Sequence, residues 1–369
     1  MTSRVEEEKL FVGVIDRLIM GGAERMMVNI LNYFAKDEKE VHLLIFSHMG
    51  ALTDSLDERI VIHDLEMLSV AKGMPKCLKK LKSLKPDIVF SGTAHVNIAL
   101  APFIPIMKIF LPQTRWIARE TNLASMKNKK QKYPKVFDFL YRNVYKNYTT
   151  IIAQSKDMQD DLLLHYPSAG KKSIVINNPI DIERVNKLSK EAISYKFEDE
   201  KINLINVAIM RQAKRHNLLL EVLAKLPLNY NLVLVGSGDE EEHLKGLAKR
   251  LNIEERVTFE GHRSNPYPYL KSADLFILTS EHEGFPNVLL EANSLGLPIV
   301  AFACPGGITE IIEEGKNGFS VSNGDIDAMV DTIIKASSYP FDKEKIIART
   351  RERFAHNTIL EQYRELFFS

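Results

Sequence analysis

The sequence predicts an α/β protein built from two parallel-sheet halves, and three observations carry that prediction. Short apolar runs alternate with amphipathic segments of helical period along the 369 residues, as in a parallel sheet covered by helices. The alternation is interrupted once, by a polar, mixed-charge stretch from about Asn178 to Lys201, and then restarts. Most of the glycine-rich and charged motifs fall just after an apolar run, where open α/β sheets bind their ligands. The chain is also too long for one ordinary core. Two Rossmann-like domains facing across a cleft follow, residues 1–180 and residues 181–347, with a terminal helix at 348–369.

The strand candidates of the first half are Leu10–Ile15, Val41–Phe46, Ile88–Phe90, Arg115–Ala118 and Thr150–Ala153. Each is short and apolar, as strands buried on both faces are. The first leads into Met20-Gly21-Gly22-Ala23-Glu24-Arg25, where two glycines let backbone approach a ligand at a helix start. The third leads to His95 and the fourth to Glu120. In the second half the candidates are Ile202–Ala208, Tyr230–Val235, Val257–Glu260, Leu275–Thr279 and Pro298–Ala303. Arg211 and Lys214 follow the first of these, and Gly236-Ser237-Gly238 follows the second. Ala348–Phe368 reads as helix.

Composition narrows the class further. Hydrophobic content of 45% with 26% charged residues is ordinary for a globular protein. The net charge of +1 hides an asymmetry: residues 1–180 hold 26 Lys/Arg against 19 Asp/Glu, and residues 181–369 hold 23 against 29. Two cysteines, Cys77 and Cys304, allow neither a disulfide framework nor a cysteine-rich metal site, which fits a reducing cytoplasm. Glu6-Glu7-Glu8 occupies the place of a basic leader, so no signal peptide is expected. The longest apolar stretch, Ile98–Leu111, is broken by Pro102, Pro105 and Lys108 and is too short to span a bilayer.

The most informative segment is Thr279-Ser280-Glu281-His282-Glu283-Gly284-Phe285-Pro286-Asn287-Val288-Leu289-Leu290-Glu291-Ala292. A strand enters a polar turn, and Pro286 opens an apolar helix at a position where its missing N–H has no intrahelical partner to lose. The helix start offers free N–H groups and the positive end of a dipole, which favour a phosphate. Glu283 lies at the mouth of the turn, and Glu291 lies about one and a half turns into the helix. Carboxylates on either side of an anion site suit a ligand with phosphates in its middle and hydroxyls at both ends, as in a sugar nucleotide.

Here the chain resembles the retaining family 4 glycosyltransferases of the GT-B fold, bacterial surface-polysaccharide type, whose E-x7-E signature matches Glu283 and Glu291. Four further motifs in order support the resemblance: the glycine turn at 20–25, Asn177-Asn178-Pro179-Ile180-Asp181, Leu234-Val235-Gly236-Ser237-Gly238, and Pro305-Gly306-Gly307-Ile308-Thr309-Glu310-Ile311-Ile312. The resemblance implies that Glu291 holds a ribose diol and Glu283 hydroxyls of the transferring sugar. Arg211, Lys214 and backbone from Phe285 through Pro286, Asn287 and Val288 then hold the diphosphate of a donor, a UDP-sugar by family. Met210 stands where the family usually has glycine, and Arg215 directly follows a lysine set closer than usual. Gly21, Gly22, His95 and Glu120 are expected to face the cleft from the first domain, His95 near the sugar and Glu120 as an acceptor-binding group. The resemblance also implies that the terminal helix at 348–369 packs back towards that first domain. Either His95 or Glu120 is a candidate to take the acceptor proton, since a base must above all reach it.

Asp325-Ile326-Asp327 matches a bare D-x-D metal pattern, but Ser322-Asn323-Gly324 before it and a helical run after it make Asp325 an N-cap. By resemblance the donor site is metal-independent, and no cofactor is expected beyond the nucleotide-sugar substrate. Two lysine clusters, Lys72, Lys76, Lys79, Lys80, Lys82, Lys85 and Lys127, Lys129, Lys130, Lys132, Lys135, lie in the basic half near Leu78, Leu81, Tyr133 and Phe137. That pattern predicts a peripheral contact with anionic lipid on the inner face of a cytoplasmic membrane and a lipid-linked or glycan acceptor. No nucleic-acid module is recognisable. Two rival readings remain: a UDP-sugar 2-epimerase of the same fold, and a non-catalytic scaffold for a partner glycosyltransferase.

Overall fold

A computed structural model describes residues 9–368 except 20, 38, 48, 49, 51, 130 and 194. Met20 of the glycine turn, Lys130 of the second lysine cluster and Glu6, Glu7 and Glu8 lie outside the described residues. The chain divides into two units, Met1–Asn177 with Leu360–Ser369, and Asn178–Ile359.

The first unit holds a seven-stranded parallel sheet of β1 (Phe11–Ile15), β2 (Val41–Ile45), β3 (Val61–Asp64), β4 (Ile88–Ser91), β5 (Arg115–Arg119), β6 (Thr150–Ala153) and β7 (Ser173–Val175). Its order is β3-β2-β1-β4-β5-β6-β7. The second unit holds six parallel strands, β8 (Ile202–Val207), β9 (Tyr230–Val235), β10 (Val257–Gly261), β11 (Leu275–Leu278), β12 (Ile299–Phe302) and β13 (Gly318–Val321). Their order is β10-β9-β8-β11-β12-β13. Each sheet therefore reverses its strand order once, between β1 and β4 and between β8 and β11. Loops leaving the carboxyl ends of those pairs diverge to opposite faces and open a crevice.

All ten expected strands are present, and three unexpected ones join them. β3, β7 and β13 each lie at a sheet edge. Central strands read as apolar runs because helices cover both faces, as Val12, Val14, Val89 and Trp116 in the first core and Ile205, Phe276 and Ile299 in the second illustrate. Edge strands lack that pressure: Val61 of β3 is 46% exposed, and β7 is three residues long.

Three local expectations need correction or refinement. The stretch expected to connect the halves is not a free linker. Asp181 caps a helix over Ile182–Leu188, accepting from Arg184 N–H at 3.0 Å, and Ile180, Ile182 and Val185 are buried in the second core. The terminal segment is two helices, Lys343–Phe354 and His356–Phe368, because Ala355 turns extended and bridges to Ile180. The last residues belong to the first unit, where Phe367 stacks on Phe11 at 5.2 Å and Arg119 Nε donates to Tyr363 Oη at 3.1 Å. Asp325 does cap its helix, accepting from Ala328 N–H at 3.0 Å, while Asp327 pairs with Lys225.

Candidate active site

In the second unit the expected residues converge at the β8/β11 reversal. The chain leaves β8 into a 3₁₀ turn, Gln212–Lys214, with Arg211 at its N-cap. Gly236 makes this possible, since a Cβ there would stand 2.0 Å from the Ala208 carbonyl; Met210 N–H in turn donates to Ser237 O at 3.0 Å. The β9 glycine loop thus braces the β8 loop. Beyond β11, Thr279 Oγ1 donates to the carbonyls of Lys214 and Arg215, both at 3.1 Å, and Glu281 N–H donates to Ala213 O at 2.8 Å. The two loops are stitched together backbone to backbone.

The side chains complete the join. Lys214 Nζ donates to both carboxylate oxygens of Glu283, at 2.7 and 2.9 Å. Arg215, in a left-handed conformation, turns away to Asn323 Oδ1 at 3.0 Å and Glu281 at 3.6 Å. Lys214 is therefore the cation that meets Glu283. Arg211 is exposed and makes no ion pair among the described residues. Glu283 is also fixed from the β12 side: its N–H donates to Pro305 O at 2.9 Å, and Gly307 N–H donates to Gly284 O at 3.1 Å. Gly306 sits between them at φ +124°, with no room for a Cβ, which would lie 2.3 Å from the Glu283 carbonyl oxygen. Burial, reinforced by the charge of Glu283, pushes the neighbouring Cys304 thiol up to about 12.

The helix after the turn spans Asn287–Ser294, with Pro286 at its N-cap, one residue later than expected. Phe285 is a core side chain, 5% exposed and packed on Phe354, so only its backbone is available to a ligand. Asn287 is held by Asn178, whose Nδ2 donates to Asn287 Oδ1 at 2.7 Å, and the N–H groups of Asn287 and Val288 belong to the first turn, without intrahelical acceptors. Glu291 accepts from Tyr267 Oη at 3.3 Å. Tyr267 went unnoticed in the sequence, where a tyrosine opening a short helix carries no signal.

In the first unit, the β1/β4 reversal brings together a pair of which the sequence offered one half. His95, in the first turn of the helix Ala94–Leu100, places Nε2 2.8 Å from Asp16 Oδ2, and Asp16 directly follows β1. Burial pushes the Asp16 carboxyl up, but the hydrogen bond and charge of His95 outweigh it and hold it below its ordinary value. Asp16 Oδ1 is buried without a hydrogen-bond partner among the described residues. A carboxylate just past the first strand was a usable signal that was missed. Both residues line a cavity of about 500 Å³ whose wall is otherwise mostly apolar, including Phe46, Met67, Val70, Ile98, Phe137 and Leu140. Gly21 is the N-cap and Gly22 the first residue of the helix Gly22–Lys36. Glu24 folds back over Gly21, its Oε2 2.2 Å from where a Cβ would be, so that helix start already carries its own carboxylate.

Glu120 is not where it was expected. Its N–H pairs with Ile152 O at 2.8 Å, which carries the sheet one residue past β5, and its side chain is 1% exposed. The carboxylate accepts from Tyr141 Oη at 3.1 and 3.2 Å and from Tyr145 Oη. Burial pushes its pKa up. An acceptor-facing role for Glu120 is withdrawn: Tyr141 caps it and itself lines a cavity of about 150 Å³ beside His95.

The lysine clusters are largely solvent-facing, and of their expected apolar neighbours only Tyr133, 60% exposed, shares that surface. Leu81 is fully buried and Phe137 packs on the core, whereas Ile106, Ile109 and Phe110 are 57, 76 and 50% exposed. Lys82 Nζ sits 3.5 Å above the Phe110 ring. No helix among the described residues is long and apolar enough to cross a membrane.

Residues 20–184 match the model of Glycosyltransferase Family 4, and residues 189–354 match that of Glycosyl transferases group 1. The chain belongs to the family 4 glycosyltransferases. It is 27% identical over 313 residues to N-acetylgalactosamine-N,N'-diacetylbacillosaminyl-diphospho-undecaprenol 4-alpha-N-acetylgalactosaminyltransferase of Campylobacter jejuni, covering 82% of each chain. It is 28% identical over 252 residues to an uncharacterized glycosyltransferase of Methanocaldococcus jannaschii, covering 66% of this chain and 62% of that one. Among solved structures it superposes on Anabaena HepE in complex with UDP with a TM-score of 0.77 and 22% identity, covering 97% and 99% of the two chains. The fold is GT-B.

Proposed function

We propose that this glycosyltransferase transfers a hexosyl or N-acetylhexosaminyl group, with retention, from a UDP-sugar to a glycan or lipid-linked acceptor in bacterial surface polysaccharide or glycoconjugate synthesis. The observation that carries the reading is the meeting of Lys214, Glu283 and the following helix start at one strand reversal, with Arg211 one turn before Lys214. Arg211 and Lys214 neutralise the donor diphosphate, Glu283 grips hydroxyls of the sugar, and Glu291, steadied by Tyr267, takes the ribose diol. UDP in the Anabaena neighbour and the undecaprenyl-linked chemistry in the name of the Campylobacter relative support the choice of donor and acceptor class.

In this mechanism the bond from the anomeric carbon to the phosphate oxygen breaks while the acceptor oxygen bonds on the same face. The acceptor proton passes to the departing phosphate. Negative charge grows on that phosphate, and fixed cations with helix N–H dipoles act where it grows, in place of a metal ion. Asp16 and His95 hold the acceptor hydroxyl, the carboxylate fixing the imidazole so that its other nitrogen faces the ligand. The exposed Ile106, Ile109 and Phe110, set beside Lys82 and Lys108, are the surface that meets an anionic membrane on its cytoplasmic side.

Saturation-transfer NMR with UDP-, GDP- and ADP-sugars tests the donor reading, with Glu291→Ala as control. Selective UDP-sugar binding that is lost in the variant is expected. Absence of binding by every nucleotide sugar would sink the reading and favour a scaffold.

A further inference from the structure

We infer that the Lys214–Glu283 pair makes the donor site discriminate a nucleotide that still carries its sugar from one that has lost it. The inference rests on the donor assignment above and concerns what the pair must do when ligand arrives. Glu283 is 11% exposed and Lys214 31%, and the lysine ammonium donates to both carboxylate oxygens. Neither backbone can retreat. The Lys214 and Arg215 carbonyls are held by Thr279, and the Glu283 N–H is held by Pro305. The pair can part only by side-chain rotation, and the lysine stem is the longer and more exposed of the two.

A diphosphate draws the ammonium towards itself and strips Glu283 of its hydrogen-bond donors. A nearly buried carboxylate left without donors carries a large desolvation penalty. A sugar nucleotide removes that penalty, because hydroxyls of the sugar take the place of the ammonium on Glu283. The bare nucleoside diphosphate has nothing to offer the carboxylate. It must either leave Glu283 stranded or compete with it for one lysine. The pair therefore holds donor, weakens spent nucleotide, and speeds turnover by favouring release after the sugar has left.

The test is calorimetric titration of the full chain with UDP, GDP and ADP as probes, in the wild type, Glu283→Gln, Lys214→Met and the double variant. Neutral glutamine is nearly isosteric but no longer holds the ammonium by charge. Glu283→Gln is expected to bind UDP about tenfold more tightly than the wild type, the effect of ~1.4 kcal/mol. Lys214→Met is expected to bind it more weakly, and in that background Glu283→Gln should add nothing. A gain in affinity cannot come from a damaged fold. Wild-type binding of UDP that Glu283→Gln leaves unchanged or weakens overturns the inference while leaving the donor assignment intact. Failure of all three nucleotides with every form refutes the donor assignment itself.

Discussion

Replacing Gly306 with alanine probes how the signature glutamate is held. At φ +124° an alanine is strained, and its Cβ would stand 2.3 Å from the Glu283 carbonyl oxygen and 2.7 Å from the carbonyl carbon. Both are backbone atoms, so no side chain can swing aside. The loop must withdraw and give up the Glu283 N–H to Pro305 and Gly307 N–H to Gly284 hydrogen bonds. Strain of roughly 1–3 kcal/mol and two hydrogen bonds of about 1 kcal/mol each give a loss of about 4 kcal/mol. For a unit of this size that lowers Tm by roughly 10 °C. Because Glu283 moves with the loop, sugar transfer should fall by about a hundredfold. Gly324→Ala is the control: φ there is +87°, and nothing lies within 4 Å of the added carbon. It should cost about 1 kcal/mol of strain and leave transfer unchanged. Differential scanning calorimetry and a transfer assay read both variants. If Gly306→Ala is no less stable and no less active than Gly324→Ala, the bracing of Glu283 by the 305–307 loop is wrong.

Three further outcomes follow from the geometry. Tyr267→Phe removes the 3.3 Å hydrogen bond to Glu291, worth about 1 kcal/mol, and should raise donor KM about fivefold with little change in kcat. Burial, helped by the charge of Lys214, lowers the His216 pKa to about 4. The unfolded chain therefore binds the proton first, so stability should fall as pH drops from the ordinary histidine value near ~6.5 to about 4. His216→Gln should flatten that part of a Tm-against-pH curve, and an unchanged slope would remove His216 as its source. Ile109→Glu with Phe110→Ser should abolish flotation with vesicles containing anionic lipid while leaving UDP binding intact; undiminished flotation would move the membrane contact elsewhere.

The legible features were the local ones. The ten predicted strands are mostly inner strands whose apolar runs are imposed by burial on both faces, and the three missed strands are edges. Gly306 and Asp325 could be placed because a turn and a cap are settled within a few residues. Glu291 and Glu283 stood out for the same reason, since eight positions on one turn-and-helix need no long-range knowledge. Glu120 was misread through a one-residue error in where a strand ends. Its N–H still pairs with Ile152, so the alternation of the strand carries its side chain into the layer of Tyr141 and Tyr145.

What the sequence could not supply was the partner of each functional residue. Lys214 and Glu283 are 69 positions apart, and Asp16 and His95 follow strands that are not consecutive, β1 and β4. Both pairs form because β8 lies beside β11 and β1 beside β4, the two places where the strand order turns back. A strand can be read from its own residues, but adjacency across such a reversal depends on how the intervening strands stack to one side. The same fact explains why the pairs are there. Loops leaving adjacent parallel strands on either side of a reversal are the ones not covered by a crossover helix, so their side chains can meet each other and a ligand. In that uncovered space the carboxylates of Asp16 and Glu283 are largely shielded, while their cations, His95 and Lys214, stay partly in solvent and open to displacement, and this is what a site that must exchange a lysine for a sugar hydroxyl requires.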